Sequence, residues 1–371
     1  MRISEAVLDR VTATRGPVVP LARVAGEGRQ GARGSAPDGD RATLHIRCGS
    51  HIQSSLARAG FVGDFLEISD PLIQGPVPAV RALEAYHDTR AAFISGAYGV
   101  PLDAARAKLA GAWDVLTRAD RYGRIVLWFE HDAYDQLILA RVLDAIHGRR
   151  VLESRAALVL YDPRQDGMLV GKVRGLGELS PEALRRLWTR RRAVTHTLTA
   201  QGARVWEALR RPDPGALARL SQGTVPGLAT MAPALRRWLQ DLPWTTDGLG
   251  LTERGILRTL HASGGTASTG TVFHAYLAED PQPTLGDAML THVMHGLCAG
   301  PAPAVSRDDP AVHDRQATWT LTDTGRRLLD GAADWAVLGG LDRWMGGMHL
   351  VSPAPAWRWD PDAMAPVAGP S

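Results

Sequence analysis

The stretch "RIVLWFEHDAYDQLILARVLDAI", residues 124–146, governs how the rest of the chain is read. Its opening run of Ile, Val, Leu, Trp and Phe has the pattern of a strand buried on both faces. From Ala133 the pattern becomes that of an amphipathic helix, with Ile138, Val142 and Ile146 on its apolar side. A strand that turns directly into a helix is half of a strand–helix–strand unit, and it predicts a parallel sheet. The joint itself is dense in ionisable groups: Glu130, His131 and Asp132, then Asp135 and Gln136. Asp132 stands where a helix N-cap belongs, and Asp135 follows three residues on, as in a capping box. Capping accounts for Asp132. It does not account for Glu130 and His131 at the exit of an apolar strand.

The same alternation continues on both sides. Residues 43–48 (TLHIRC), 64–69 (DFLEIS) and 155–162 (RAALVLYD) read as further strands. Residues 51–60, 80–99 and 101–120 read as helices, the first ended by Gly60. The expected fold class is therefore α/β, with a Rossmann-like parallel-sheet domain over residues 41–175. A basic helical connector follows over 176–247, its apolar stripes carrying Trp188, Trp206, Leu209, Leu235 and Trp238. Residues 248–360 read as a winged-helix-like α+β domain. Residues 1–40, rich in Gly, Arg and Ala, read as a flexible tail or as sequence upstream of the true start. Residues 361–371 read as a second tail.

The chain has 371 residues, 45% of them hydrophobic, enough for two or three cores. It contains no run of about 18 apolar residues, the length a membrane span needs. Its N-terminus lacks the apolar core of a secretory signal. The two cysteines, Cys48 and Cys298, suggest neither a disulfide framework nor a zinc site. A reducing cytoplasm is the expected location. The net charge is only +3, and the basic residues are Arg apart from Lys108 and Lys172. That bias fits a GC-rich genome better than selection for phosphate contacts. The basic charge belongs to the middle of the chain: residues 170–245 hold thirteen Lys/Arg against five Asp/Glu, whereas residues 250–330 hold six against nine.

Polar clusters follow three of the expected strands: Cys48-Gly49-Ser50-His51, Asp70-Pro71, and the run from Glu130 to Gln136. Ligands of open α/β sheets bind beyond the carboxyl ends of the strands. Gly49, Ser50, His51, Asp70, Asp135 and Gln136 are accordingly the candidate ligand-binding residues. A Gly-Ser turn opening a helix offers backbone N–H groups to a phosphate or carboxylate; its simpler role is a tight turn with a Ser cap. His131 is the candidate general acid or base, oriented by Glu130 or Asp132. A divalent metal held by Glu130, Asp132 and Asp135, with help from Asp70 or His51, is the alternative use of the same carboxylates. No G-x-S-x-G, H-E-x-x-H or C-x-x-C occurs, so serine hydrolases and zincins find no support. The reaction classes compatible with this layout are phosphoryl or glycosyl transfer and hydrolysis, on a phosphate-bearing small ligand such as a nucleotide.

The rival expectation is a ligand-sensing regulator that binds nucleic acid through Arg185, Arg186, Arg190, Arg191 and Arg192, or through the winged-helix-like region. The helix that would read bases, "LGDAMLTHVMHGLCAG" at residues 285–300, contains no Lys or Arg.

Seven stretches, "LHIRCGSHI", "AGFVGDFLEISDPLIQGPVP", "VLWFEHDAYDQLILARVL", "GLGELSPEALRRLW", "LTERGIL", "LGDAML" and "RWMGGMHL…WRWD", together resemble bacterial proteins of domain-of-unknown-function family 1835. The resemblance runs over residues 43–360 and is most specific at Glu130 to Gln136. His51 stands where an Asp is common in such proteins, which weakens any carboxylate role there. The resemblance implies the domain layout and the choice of site residues. It implies no reaction.

Overall fold

The computed structural model describes residues 17–24, 36–170 and 173–369. The chain is mixed α/β, built on a mostly parallel central sheet. Up to residue 193 its strands are β1 (Val18–Pro20), β2 (Thr43–Arg47), β3 (Asp64–Glu67), β4 (Gly75–Pro76), β5 (Arg124–Glu130), β6 (Ala156–Tyr161) and β7 (Arg192–Ala193). All but β4 join one sheet in the order β1-β3-β2-β5-β6-β7. The four middle strands are parallel, and β1 and β7 cap the edges antiparallel. The parallel part of the sheet therefore starts in the middle at β2, adds β3 on one side, then returns to add β5 and β6 on the other. The order reverses between β2 and β5.

Alternate residues of each strand point to opposite faces, and each face has its own core. On one face Leu44, Ile46, Ile125, Leu127 and Phe129 pack against helices α4 (Leu102–Thr117) and α5 (Ala133–Ile146). On the other, Phe65, Val126, Trp128 and Tyr161 pack against α1 (Leu21–Val24), α2 (Gln53–Arg58) and α8 (Pro181–Thr189). Burial on both faces explains why β5 reads as a continuous apolar run rather than an alternating one. Between these elements lie α3 (Leu83–Tyr98), α6 (Arg150–Arg155) and α7 (Pro163–Val170).

The expected connector is not a separate spacer. Trp188 on α8 stacks on Trp128 of β5, with ring centroids 6.4 Å apart. Helix α9 (His196–Leu209) runs antiparallel along α5: Trp206 lies by Arg141, Gly202 by Leu143 and Thr199 by His147. Helices α10 (Gly215–Gln222) and α11 (Met231–Leu239) follow, and Trp238 donates to the Ile73 carbonyl at 3.0 Å. All five residues of the expected apolar stripes are buried.

Beyond residue 250 come α12 (Leu251–Ala262), β8 (Thr266–Ser268), α13 (Thr269–Glu279), α14 (Asp287–Cys298), β9 (Val305–Arg307), β10 (Thr318–Leu321) and α15 (Asp323–Leu329). The three strands form a small antiparallel sheet with β10 central. Four last strands, β11 (Asp342–Gly346), β12 (Met348–Val351), β13 (Trp357–Asp360) and β14 (Ala365–Ala368), make two further small sheets. Strand β11 also pairs in parallel with β4, tying the C-terminal part to the loop after β3.

Both expected tails need correction where they are described. Val18–Pro20 is an edge strand, and Asp38 is 1% exposed, accepting from the Val62 and Gly63 backbone and bonding His45 Nε2 at 3.0 Å. The imidazole's other nitrogen takes the Trp128 indole N–H at 3.1 Å, so Nε2 carries the proton toward Asp38. Ala365–Ala368 pairs with β13. A Gly/Ala/Arg composition conceals such partners, because edge pairing uses backbone groups that composition does not reveal. Residues 1–16 and 25–35 of the expected N-terminal tail lie outside the described residues. No helix among the described residues is long and apolar enough to cross a membrane.

Candidate functional site

The reversal of strand order puts the ends of β2 and β5 side by side, and the ionisable residues gather there. Arg47, the last residue of β2, reaches across to β5. One guanidinium nitrogen donates to Asp135 and to the Trp128 carbonyl, the other to Glu130 Oε1. Asp135 also takes the Glu130 backbone N–H at 2.7 Å and the Cys48 thiol at 2.9 Å. Asp132 is the N-cap of α5 and accepts the Asp135 N–H at 3.1 Å. The capping role read from the sequence is thus present. Gln136 is fully buried and donates to the Glu130 carbonyl.

Burial pushes the Glu130 carboxyl up to about 7, and the nearby Asp135 adds to the rise against the opposing pull of Arg47. Burial likewise raises Asp132, reinforced by Asp135 and Glu130. His131 moves down because it is buried, although Asp162 at the end of β6 partly opposes this. The site therefore holds a carboxyl that titrates near neutrality beside an imidazole that favours its neutral form. That pairing is what acid–base chemistry needs.

A loop at residues 173–178 covers this edge. The Leu176 N–H donates to Glu130 Oε1 at 3.0 Å. Gly175 approaches so closely that a Cβ there would lie 2.3 Å from Glu130 Oε2. Gly175→Ala is expected to cost about 1–3 kcal/mol, the usual range for overpacking. Urea denaturation measures this, and an unchanged midpoint would show that the loop can lift away at little cost. From the C-terminal part, Gln282 donates to the His131 carbonyl at 2.8 Å.

Twelve buried side-chain polar atoms among the described residues have no partner, and four belong to this cluster: Arg47 Nε, His131 Nδ1, Gln136 Oε1 and Gln282 Oε1. Buried polar groups are nearly always paired. These four lie together where the ends of β2 and β5 meet.

Other expected residues play different parts. Asp70 faces one tyrosine and two arginines. It is 1% exposed and accepts from Tyr86 Oη (2.6 Å), Arg90 Nε (2.7 Å) and Arg141 Nη1 (2.7 Å). Burial alone would raise its carboxyl, but Arg90 and Arg141 outweigh that and hold it low. Ser50 is not a helix cap: α2 begins at Gln53, its N-cap is Ile52 in helical conformation, and no side chain caps it. The Gly49-Ser50-His51 segment is a turn. His51 is exposed beside the covering loop, where a Cβ at Gly177 would lie 3.2 Å from its own Cβ. The site thus unites Glu130, His131, Asp132, Asp135 and Gln136, and leaves Asp70 aside.

Glu130, Asp132 and Asp135 do not present ligand atoms at metal spacing; among the described residues only His147, Glu153 and His196 do so. Glu130 and Asp135 share Arg47 instead. Sequence reasoning missed Arg47, which lies inside a strand pattern, and Asp162, which ends one.

Two cavities flank the sheet. The smaller, about 300 Å³, runs along the edge of β6 and is lined by Asp162, Asp166, Arg190, Arg192 and Thr230, whose buried hydroxyl has no partner. The larger, about 520 Å³, lies at the opposite end of the sheet among Arg41, Arg124, Arg155 and Arg191. The smaller reaches the carboxyl end of β6 at Asp162. Of the basic connector residues, Arg186 donates to the Leu169 carbonyl, Arg190 lies 3.6 Å from Asp166, Arg191 stacks on Trp188, and Arg192 donates to the Gly227 carbonyl. Arg185 is exposed on α8.

The chain matches no protein-family model and no curated protein sequence.

Proposed function

We propose that the protein binds a phosphate-bearing small molecule at the carboxyl ends of β2, β5 and β6, and acts on it by acid–base chemistry. The observation that carries this reading is the group of partnerless buried polar atoms at the one edge where strand order reverses. Arg190 and Arg192 line the adjoining cavity and supply positive charge for the phosphate. His131 moves a proton, with Asp162 beside it and Glu130 as the second titrating group. The parallel order β3-β2-β5-β6 supports a Rossmann-like description of the sheet. The resemblance to domain-of-unknown-function family 1835 is part of the same proposal, as are transferase or hydrolase activity and the domain limits given above.

The test is a thermal-shift screen of nucleotides and sugar phosphates, with and without magnesium. At a hundred-fold excess over Kd, a ligand of the native state adds about 2.7 kcal/mol, a shift of a few degrees. His131→Ala removes a side chain with no bond through Nδ1, so its own melting temperature should match the wild type while the ligand shift disappears. A shift that survives the substitution would place the ligand elsewhere.

The regulator reading draws on the C-terminal part. The order helix, strand, two helices, two strands and helix supports a winged-helix description. However, His292 of the Lys/Arg-free helix α14 sits 5.9 Å from both Phe93 and Tyr98 of α3, and Gln74 bonds the Met289 carbonyl. That helix is docked within the protein, so the small-ligand reading is preferred over nucleic-acid binding.

A further inference from the structure

A second cluster lies away from the strand ends, where α5 ends, α6 lies and α9 begins. His147 is the C-cap of α5, Glu153 lies on α6, and His196 is the first residue of α9. The two imidazoles stack with centroids 4.8 Å apart and planes inclined at 27°. Both Nδ1 atoms face the same carboxylate oxygen: His196 at 3.1 Å and His147 at 3.8 Å from Glu153 Oε1. Thr199, one turn into α9, adds its hydroxyl at 2.7 Å from that oxygen and 3.0 Å from His147 Nδ1.

The arrangement follows from the packing. Gly202 lets α9 run close against Leu143 and Ala140 of α5, where a Cβ would lie 2.3 Å from Leu143 Cβ. This close antiparallel contact brings the start of α9 to the end of α5. Thr195 caps α9 by accepting the Leu198 N–H, which fixes the first turn carrying His196 and Thr199. The Gly148 N–H anchors Glu153 at 3.1 Å. The single Thr199 proton faces Glu153, His147 and the His196 carbonyl at 2.9 Å, and it can serve only one of them at full strength.

We infer that His147, Glu153 and His196 form a binding site for a divalent transition-metal ion of the zinc type. The ligand atoms of the three residues lie within 4.8 Å of one another. Tetrahedral zinc with bonds of about 2.0–2.1 Å places its ligands about 3.3 Å apart, so modest rotation of two partly exposed imidazoles closes the set. Imidazole and carboxylate suit zinc and its neighbours better than magnesium or calcium, which take all-oxygen shells. Three protein ligands leave a fourth position for water, on the solvent side where His196 is exposed. Thr199 and the Gly148 N–H orient Glu153 as outer-shell partners. The bound ion joins three helices and links the parallel-sheet region to the helices that follow it.

The test uses the full chain without an affinity tag, stripped with EDTA and titrated with zinc chloride by calorimetry. Cobalt chloride is titrated in parallel and followed by visible absorption. One zinc ion per chain, a raised melting temperature and a cobalt d–d band are expected. His196→Ala and His147→Ala should each weaken zinc binding by more than the roughly 10–100-fold lost with an outer-shell partner. His349→Ala, at a His–Asp pair elsewhere on the surface, should leave it unchanged. His196 is exposed, so its variant keeps the fold. Absence of zinc binding, or affinity unchanged in both His147 and His196 variants, overturns the assignment. Neither result bears on the strand-end ligand.

Discussion

Asp70→Ala is expected to destabilise the protein by about 3–5 kcal/mol, the loss seen when one partner of a buried ion pair is removed. Asp70 is the one carboxylate shared by Arg90 and Arg141, and both are buried. Arg90 also donates to the carbonyls of Pro71, Gln74 and Pro76, which shapes the loop after β3. Arg141 lies 3.8 Å from the centroid of the Tyr86 ring and 3.9 Å from that of Trp113. Its guanidinium is thus closed in by aromatic faces that attract a cation but cannot replace a carboxylate. Without Asp70, two charges are stranded in a low-dielectric core, and the loop carrying β4 loses its anchor. Asp70→Asn should lose nearly as much, since it keeps the shape and not the charge. Urea denaturation at neutral pH measures both. A loss below about 1 kcal/mol in either would mean that water reaches the cluster, contrary to the burial described.

The second large effect concerns pH. The Glu130 carboxyl moves from an ordinary 4.5 up to about 7 in the folded protein, chiefly through burial. The folded state therefore holds its proton more tightly than the unfolded chain does. Its contribution to stability is fully present below about pH 4.5 and is lost as pH rises toward 7. At 1.36 kcal/mol per pKa unit the loss across that window is about 3 kcal/mol. Glu130→Gln keeps an acceptor for the Leu176 N–H and cannot ionise, so its stability should stay flatter over the same window. Asp144 and Asp247 are also raised by burial, but they are present in both proteins and cancel in the difference; Asp132, raised in part by Glu130, does not cancel and belongs to the same difference. Denaturant unfolding of both proteins between pH 4.5 and 8 measures that difference. Parallel curves would show that Arg47 keeps Glu130 ionised throughout, and would remove it as the group that titrates near neutrality.

Much of the strand-end site was legible in the sequence because its parts are local. Asp132 to Asp135 is a cap with the spacing of a cap, and the apolar run before it could be only a buried strand or a buried helix segment. Gly60, with φ of +86°, ends α2 as a breaker should. Ser180 caps α8 with Pro181 at its first position, again a signal contained in a few adjacent residues. Arg47 was not legible. It lies at the end of "TLHIR", and its partners Glu130 and Asp135 stand 83 and 88 residues away. Asp70 misled for the same reason. An Asp-Pro turn after a strand has one appearance whether it faces a ligand or two arginines, and those arginines come from α3 and α5.

The sequence by itself determined the four middle strands, the longer helices around them and the parallel character of the sheet, because hydrophobic period, caps and breakers act over a few residues. It also located Glu130 and His131 as groups that capping does not explain. Only the tertiary structure decided which strand ends meet. The return from β3 to β5 places Arg47 between Glu130 and Asp135, α3 and α5 close Asp70 inside the core, and the packing of α9 on α5 brings His147 and His196 ring to ring. The physical reason is that an ionisable side chain takes its role from the charges and dielectric around it, and those are supplied by residues distant along the chain.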